Sequence, residues 1–305
     1  MAGSDKRVLA YDVGGSHISA AVFDGESCSL SGVVSEGYPS EQSTETFLNV
    51  LHSLGGIAME GVQDVRGISL AMPGPFDYET GVSWMQHKLA YLYGFDLRKA
   101  LAAHFGWPAE RVRFLNDAAA FLMGEVAGGA ARGMSRVVGI TLGTGVGSAF
   151  AVNGHIVRKG AGVAPGGEIW NVPYQGGIVE DQISTRAIQK SYYERTGQER
   201  DVAAIAASAA DDPTATEVFS EFGRNLGTAL REVLSLFAPQ AIVLGGGIAR
   251  SAHLFLPAAQ GEMGTCELLI SALGDHAPLV GAGAAWFENG GQDAGDAKRE
   301  TFLRG

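Results

Sequence analysis

The sequence predicts an α/β protein built from two duplicated domains that face each other across a cleft. A run of apolar residues, a glycine-rich turn and a second apolar run occur in residues 8–23 and again in residues 137–150. Strand-like and helix-like patterns alternate after each of these hairpins. At 305 residues the chain also exceeds one typical core and suits two domains of about 100 to 200 residues each.

Both predicted hairpins bend at small residues. The bends are Gly14, Gly15 and Ser16 in the first hairpin and Gly143, Thr144, Gly145 and Gly147 in the second. Without a Cβ, glycine lets backbone N–H groups curl around an anion. One such turn is as consistent with an ordinary hairpin as with a phosphate site, and neither bend matches a Walker A or dinucleotide-binding motif. Because this arrangement of two apolar runs around a glycine-rich turn occurs twice, it favours two phosphate-binding turns.

The rest of the N-terminal half alternates strands and helices. Predicted strands lie at 33–38, 65–71 and 112–115, and predicted helices at 45–60, 96–105 and 118–126. Pro73, Gly74 and Pro75 end the second of these strands in a rigid loop. Loops of this kind often contact substrate, although a plain turn is the alternative.

Asn116 and Asp117 follow the predicted strand at 112–115 and precede a predicted helix. At the carboxyl end of a strand, a side chain projects from a rigid edge into the crevice between domains. Asp117 is equally well placed to cap the N-terminus of the helix. The local pattern therefore leaves two roles open for Asp117, a catalytic carboxylate and a helix cap.

The C-terminal half contains a further candidate for substrate contact. Glu168 and Glu180 bracket a loop that holds Trp170, Asn171 and Tyr174. Carboxylates accept hydrogen bonds from sugar hydroxyls, while an aromatic ring can cover an apolar sugar face. Surface charge is the alternative for both glutamates.

The last third of the chain returns to alternating helices and strands. Predicted helices lie at 184–196, 202–209, 216–237 and 277–287, and predicted strands at 241–244 and 268–273. Gly245, Gly246 and Gly247 allow a flat or phosphorylated ligand to approach closely, with a tight strand-to-helix turn as the alternative. No low-complexity linker interrupts the chain, so we expect crossing helices to join the domains.

Charge and cysteine content disfavour several classes of protein. A formal net charge of −11 at pH 7 opposes binding to nucleic acid or to an anionic membrane. Cys28 and Cys266 are the only cysteines, too few for a zinc ribbon or a disulfide framework. The sequence shows neither a signal peptide nor an apolar run long enough to cross a bilayer. We expect a soluble cytoplasmic protein that binds neither nucleic acid nor membrane.

Taken together, these motifs resemble the ROK family of sugar kinases, which has the actin-like, ribonuclease H-like fold. The matching segments, in the family's order, are DVGGSH at 12–17, PGPFD at 73–77, LND at 115–117, GTGVG at 143–147, GGE at 166–168, IVE at 178–180, IVLGGG at 242–247 and LVGAGAAW at 279–286. The resemblance implies a small domain of residues 1–117, completed by a C-terminal helix at 277–305, and a large domain of residues 118–276. It also implies a homodimer.

The resemblance implies ATP-dependent phosphorylation of a hexose on its C6 hydroxyl, with Asp117 as the general base. Asn116, Glu168 and Glu180 would hold other hydroxyls of the sugar, with Gly74 beside them. Asp12 would lie near Mg²⁺ and act through water. The implied nucleotide contacts are Asp12, Gly14, Gly15, Ser16 and His17 in the first turn, Gly143, Thr144 and Gly145 in the second, and Gly245, Gly246 and Gly247 on the adenosine side.

The sequence departs from the family pattern at two places. Family members commonly carry Gly-His and a cysteine-rich zinc loop after the first sugar-binding glutamate, whereas Trp170 and Asn171 stand here without a cysteine. We therefore predict no structural zinc, and Asn171 as a sugar contact in place of the histidine. His17 stands where the family has lysine, which predicts a pH-dependent charge near the phosphates. The helix-turn-helix of the family's repressors is not expected.

A glucokinase that uses ATP and Mg²⁺ is the first expectation. The unusual loop at 168–180 keeps open a kinase for another sugar, such as N-acetylmannosamine, fructose or mannose, and polyphosphate as the donor. A sugar-binding sensor without activity is the alternative from a different class of protein. The presence of Asn116, Asp117, Glu168 and Glu180 argues against a sensor.

Overall fold

A computed structural model describes residues 6–15, 17–38 and 42–288 of the chain. Its strands are β1 (Arg7–Val13), β2 (His17–Asp24), β3 (Ser29–Gly37), β4 (Val65–Met72), β5 (Phe76–Asp77), β6 (Val82–Ser83), β7 (Val112–Asn116), β8 (Arg136–Leu142), β9 (Val146–Val152), β10 (His155–Val157), β11 (Pro173–Tyr174), β12 (Gly177–Ile178), β13 (Ala241–Gly245) and β14 (Glu267–Ile270). Its α-helices are α1 (Thr44–Ala58), α2 (Leu97–Phe105), α3 (Asp117–Gly128), α4 (Val179–Ile183), α5 (Thr185–Thr196), α6 (Val202–Ser208), α7 (Pro213–Val233), α8 (Ala252–Met263) and α9 (Ala277–Glu288).

Two five-stranded sheets repeat one topology. Their strand orders are β3-β2-β1-β4-β7 and β10-β9-β8-β13-β14. In each sheet the three strands of a meander pair antiparallel, and the other two strands continue the sheet in parallel. The predicted glycine-bend hairpins are β1–β2 and β8–β9, at equivalent places in the two sheets. The predicted duplicated α/β architecture is therefore confirmed.

Each sheet has its own apolar core. In the first, Leu51 and Leu54 of α1 belong to one buried cluster with Leu9 and Leu70 of the sheet. In the second, α7 presents an apolar stripe at helical spacing to the core, formed by Val218, Phe222, Leu226 and Leu230. The helical spacing of apolar residues in the sequence is thus the spacing that places these side chains of α1 and α7 in the cores.

Two helices join the sheets through direct backbone contact. α9 packs on β1, β2 and β4 of the first sheet, whereas α3 packs on β8 and β9 of the second. A Cβ on Gly281 of α9 would lie 1.7 Å from the carbonyl oxygen of Ala120, and one on Gly124 of α3 would lie 2.0 Å from that of Ala277. Only glycine permits this approach, and the crossing fixes one sheet against the other.

A buried carboxylate anchors the C-terminal end of α3. Glu125 is fully buried, and its oxygens accept hydrogen bonds from the Ser271 hydroxyl (2.5 Å) and from the N–H groups of Ala130 (2.7 Å), Ala272 (3.2 Å) and Leu273 (3.1 Å). Four donors replace the water that the charge loses on burial. Glu125 therefore ties α3 to the segment that leads into α9.

Several boundaries differ from the sequence-based prediction. The predicted helix at 216–237 is α7, which begins earlier because Asp212 caps it through the N–H of Thr214 (2.9 Å). The predicted strand at 268–273 ends at Ile270, since the next residues bind Glu125. The hairpins β5–β6 and β11–β12 were missed because two-residue strands show no alternation. The predicted helix at 277–305 reaches Glu288, and its remainder lies outside the described residues.

No helix in the described part of the chain is long and apolar enough to span a membrane. The predicted domain boundaries at 117/118 and 276/277 remain a prediction.

Gly281→Ala should lower the free energy of unfolding by about 1 to 3 kcal/mol, because the added methyl group forces α3 and α9 apart. Gly261→Ala in α8 is the matched control, since a Cβ there meets nothing within 4 Å. That control should raise the free energy of unfolding by about 0.5 to 1 kcal/mol. Urea denaturation of both variants tests the close crossing, and a Gly281→Ala protein as stable as the wild type would contradict it.

Candidate active site

The predicted catalytic residues gather at the carboxyl ends of the parallel strands of the first sheet. Asp12 of β1 pairs with Ala71 of β4, which pairs in turn with Leu115 of β7. This register places Asn116 and Asp117 at the same sheet edge as Asp12. Open α/β sheets bind ligands at this edge.

Asn116, and not Asp117, caps α3. The Asn116 Oδ1 accepts the N–H of Ala119 (3.1 Å), which makes Asn116 the N-cap. Asp117 Oδ1 accepts the N–H of Ala118 (2.8 Å) and the Asn116 Nδ2–H (3.0 Å). None of the described residues donates a hydrogen bond to Asp117 Oδ2. The helix cap is therefore Asn116, and one carboxylate oxygen of Asp117 is held by two hydrogen bonds while the other has none from the described residues.

Tyr78 is a site residue that sequence reasoning missed. Its hydroxyl accepts the Asn116 Nδ2–H (3.2 Å) and donates to the carbonyl oxygen of Met72 (3.2 Å). A Cβ on Gly74 would lie 3.5 Å from the same hydroxyl, so the predicted substrate loop lies beside it. The Arg158 guanidinium lies 5.5 Å from the centre of the Tyr78 ring. The only signal in the sequence is its position directly after PGPFD.

Burial raises the pKa of Tyr78 to about 12, which keeps the hydroxyl protonated at neutral pH. The charges of Asp117 and Glu168 act in the same direction on that pKa. Glu168 is therefore close enough to the Tyr78 hydroxyl for its charge to act on that pKa.

Burial and two other carboxylates act on the pKa of Asp12, near the end of β1. Burial, with the nearby carboxylates of Asp117 and Asp275, raises the pKa of Asp12 to about 7. Burial also raises the pKa of Asp117, against the opposing effects of the Ala118 N–H, the Lys88 ammonium and the Asn116 amide. Oxygen ligands in a region of excess negative charge fit a divalent cation such as Mg²⁺.

The first glycine turn is closed by two hydrogen bonds to backbone carbonyl oxygens. The Gly14 N–H donates to the carbonyl oxygen of His17 (3.0 Å), and the Tyr38 hydroxyl donates to the carbonyl oxygen of Gly14 (2.6 Å). Gly15 has open space around it, with nothing within 4 Å of an added Cβ. Ser16 lies outside the described residues. The turn follows directly from β1, which carries Asp12.

The second glycine turn is held by residues from α4 and α5. Within the turn, the Gly143 N–H donates to the carbonyl oxygen of Gly145 (3.1 Å). The Thr185 N–H donates to the carbonyl oxygen of Gly143 (2.9 Å), and the Val146 N–H donates to Glu180 Oε2 (3.0 Å). Thr144 stands at the tip of this turn. Glu180, predicted as a sugar contact, thus lies at the second glycine turn in this structure.

The three glycines after β13 lie beside the second turn. Gly245 pairs with Thr141 of β8, two residues before Gly143. A Cβ on Gly246, which has φ +83°, would lie 2.5 Å from the carbonyl oxygen of Leu142, whereas one on Gly247 would meet nothing within 4 Å. The structure therefore brings together two of the three predicted nucleotide segments and leaves open space at Gly247.

A short hairpin lies between Glu168 and Glu180. β11 and β12 are joined by Gln175 and Gly176, both with positive φ (48° and 81°), as in a type I′ turn. The Trp170 indole Nε1–H donates to Glu168 Oε2 (3.1 Å), and Asn171 is exposed beside them.

Among the described residues, no group of three or more His, Cys, Asp or Glu side chains is arranged to hold a metal ion. The absence of structural zinc remains a prediction.

Comparison with known proteins gives matches over nearly the whole chain. The sequence model of the ROK family matches residues 8–289. The bifunctional enzyme NanE/NanK of Brucella melitensis is 28% identical over 279 residues, which are 90% of this chain and 49% of that protein. This chain therefore spans about half the length of that relative.

Two solved structures show the same architecture. The ROK hexokinase from Thermus thermophilus superposes with a TM-score of 0.77 at 27% identity, over 93% of this chain and 99% of its own. A ROK family glucokinase from Streptomyces griseus, in complex with glucose and AMPPNP, superposes with a TM-score of 0.74 at 25% identity. The match covers 92% of this chain and 98% of that glucokinase. These matches confirm the predicted two-domain, actin-like fold.

Asp12→Asn should stabilise the protein at pH 8 by about 1 to 3 kcal/mol in the absence of divalent cations. Because the folded-state pKa of Asp12 is about 7, above that of an unfolded aspartate, stability present at low pH is lost as the pH rises through 7. The difference between variant and wild type should therefore shrink steadily as the pH falls from 7 towards about 4, the ordinary pKa of an aspartate. Urea denaturation in the presence of EDTA measures the difference in the free energy of unfolding at each pH.

The matched control for this prediction is Asp211→Asn, which changes an exposed aspartate outside the site. Equal stability of the Asp12→Asn variant and the wild type at pH 8 would show that burial and the neighbouring carboxylates do not disfavour the charged Asp12 as described.

Proposed function

The chain belongs to the ROK family, and we propose on that basis that it is a sugar kinase, with ATP as donor and the C6 hydroxyl of a hexose as acceptor. The observation that carries the proposal is the state of Asp117. One of its carboxylate oxygens is held by Ala118 and Asn116, and the other has no donor among the described residues. A half-buried carboxylate fixed in this way at the start of a helix suits a general base. We propose glucose as the first candidate substrate.

Asp117 would accept the proton of the attacking hydroxyl. A neutral hydroxyl attacks a phosphoryl group poorly unless its proton has an acceptor within hydrogen-bond reach. The raised pKa of Asp117 makes the carboxylate a better acceptor than an exposed aspartate, while its fixed oxygen keeps the free one pointed in one direction. Tyr78 supports this geometry because it holds the Asn116 amide that bonds Asp117.

Side chains around Asp117 would orient the sugar. We propose Asn116, Glu168 and Asn171 as contacts for the other hydroxyls, beside the loop at Gly74. The hydrogen bond from Trp170 fixes one oxygen of Glu168 and leaves its other oxygen to a hydroxyl. Holding the acceptor in line with the donor can lower a barrier by several kcal/mol, roughly 7 to 11 in favourable cases.

The nucleotide would lie along the three glycine segments. We propose that its phosphates contact Gly14 to His17 and Gly143 to Gly145, with the adenosine near Gly245 to Gly247. Mg²⁺, when bound, would offset the charge of the phosphates, and Asp12 would hold it through water. The excess of carboxylates at Asp12 supports this assignment, since a cation relieves their repulsion. The AMPPNP bound by the Streptomyces griseus glucokinase supports ATP as donor.

A different hexose is the second candidate. The unusual loop at 168–180, with Trp170 bonded to Glu168 and Asn171 exposed, is the reason to keep other hexoses open. N-acetylmannosamine, fructose and mannose are the sugars to test, and polyphosphate is the donor to compare with ATP. A sugar sensor would bind without turnover. We further propose a homodimer.

Asp117→Asn should keep the fold and most of the sugar affinity but lower kcat by about 10² to 10⁴-fold. The amide is nearly isosteric and cannot accept the proton. Coupled ADP release measures kcat, and calorimetry measures sugar affinity, with Asp211→Asn as the control. Near-normal kcat in Asp117→Asn would refute the general-base assignment.

Activity should fall on acidification as Asp117 becomes protonated, at a pH above that of an ordinary aspartate because burial raises its pKa. Lys88→Met should move this acid limb of the kcat/KM profile to higher pH, since the Lys88 charge lowers the pKa of Asp117. Lys190→Met, on the exposed ion pair with Glu194, is the control and should leave the limb in place. An acid limb unmoved by Lys88→Met would contradict the electrostatic account.

A further inference from the structure

The carbonyl oxygen of Gly14, at the start of the first glycine turn, is held from outside the turn. The Tyr38 hydroxyl donates to it at 2.6 Å. Tyr38 follows β3 directly, and Gly37 at the end of β3 pairs with His17 at the start of β2. Because the end of β3 lies beside the start of β2, this register places Tyr38 level with the turn. The contact is therefore set by strand pairing in the first sheet.

The Tyr38 hydroxyl acts as a donor at neutral pH. Burial, with smaller contributions from Tyr91 and Asp12, raises the pKa of Tyr38, so the hydroxyl keeps its proton. Tyr38 and Tyr91 both pack against the apolar core of the first sheet, which limits their movement. A phenol has a single proton to donate, and in this structure the Gly14 carbonyl receives it.

The bond to Gly14 also sets the direction of the next N–H group. The carbonyl of Gly14 and the N–H of Gly15 belong to one planar trans peptide, in which they point in opposite directions. With the carbonyl fixed towards Tyr38, the Gly15 N–H points away from Tyr38. No described residue accepts a hydrogen bond from it, and an added Cβ on Gly15 would meet nothing within 4 Å. An N–H group beside open space is available to an anion.

The orientation of the peptide between Gly14 and Gly15 needs such support. Two adjacent glycines place few steric limits on backbone rotation, so a peptide between them turns over readily when nothing holds it. A peptide in the reversed orientation directs its carbonyl oxygen to the open side and repels a phosphate. The Tyr38 hydroxyl stabilises the orientation that binds an anion, and the ligand does not have to order the turn itself.

The second glycine turn is held at the equivalent carbonyl. Gly143 is the first residue after β8, as Gly14 is after β1, and its carbonyl oxygen accepts the N–H of Thr185 (2.9 Å). The next N–H group, that of Thr144, likewise has no acceptor among the described residues. A phenol in one half of the chain and a backbone N–H in the other thus hold the same carbonyl of a duplicated turn. This recurrence indicates that the orientation of the peptide serves what the turns bind.

We propose that Tyr38 is a positioning residue for the first glycine turn, and that its hydroxyl orients the peptide so that the Gly15 N–H donates to a phosphate of the nucleotide. The proposal rests on the kinase function only in assigning the nucleotide to this turn. Removal of the hydroxyl should weaken nucleotide binding and leave sugar binding unchanged, because the Tyr38 hydroxyl bonds none of the residues proposed to hold the sugar.

The test measures dissociation constants by calorimetry for Mg·AMPPNP and for the hexose that the wild type binds most tightly. Tyr38→Phe removes one hydroxyl and keeps the ring. In this variant the Kd for Mg·AMPPNP should rise by about 3- to 10-fold, the usual effect of losing one hydrogen bond. The Kd for the sugar should stay within about twofold of the wild-type value.

Tyr11→Phe is the matched control. The Tyr11 hydroxyl also donates to a backbone carbonyl at 2.6 Å, that of Leu51, but this bond lies in the core between β1 and α1. Thermal unfolding should show a lower Tm for Tyr11→Phe, because the buried carbonyl loses its donor. Neither Kd should change in this variant. A loss of stability alone, without a change at the turn, is thereby separated from the effect proposed for Tyr38.

An unchanged Kd for Mg·AMPPNP in Tyr38→Phe would overturn the proposal. The same holds for a sugar Kd that rises as much as the nucleotide Kd, and for a Tyr11→Phe variant that weakens nucleotide binding equally. A wild type that does not bind Mg·AMPPNP would refute the proposal together with the nucleotide assignment. A wild type that binds Mg·AMPPNP but phosphorylates no sugar would refute the kinase function alone and leave this comparison valid.

Discussion

The site depends on the backbone contact between α3 and α9. α9 lies on the first sheet and α3 on the second, and the glycines at their crossing let the two backbones touch. Asp117 begins α3, and the buried Glu125 near its other end ties the same helix to the segment before α9. The helix that carries the proposed base is thus fixed at its start by the Asn116 cap, in its middle by α9 and near its end by Glu125.

This rigid frame brings like charges together. Burial, with the charges of Asp117 and Asp275, raises the pKa of Asp12, so the ionised Asp12 carboxylate lowers the stability of the protein when no cation is bound. Around Asp117, the hydrogen bonds leave one oxygen without a partner in the described residues. The proposed cation and the proposed sugar hydroxyl would each satisfy one of these two features.

Much of this was predictable from the sequence. The paired hairpins and the strand-end position of Asn116 and Asp117 follow from local patterns, because strands and their glycine bends are encoded by adjacent residues. The contact of Tyr78 with Asn116 joins residues 38 apart, and that of Val146 with Glu180 joins residues 34 apart. Such pairs depend on how the two sheets assemble, and the periodicity of apolar residues along the chain does not indicate that assembly. The choice between Asn116 and Asp117 as helix cap also needed side-chain geometry.

The central claim is that this chain transfers a phosphoryl group from ATP to a sugar hydroxyl. The most direct test is a coupled ADP-release assay with Mg·ATP over glucose, mannose, fructose and N-acetylmannosamine, with the product position read by ³¹P NMR. The account predicts sugar-dependent ADP release, highest kcat/KM for glucose and a phosphate on C6. Release with another sugar alone would keep the mechanism and reassign the substrate. No release with any sugar, while sugar binding persists in calorimetry, would contradict the claim.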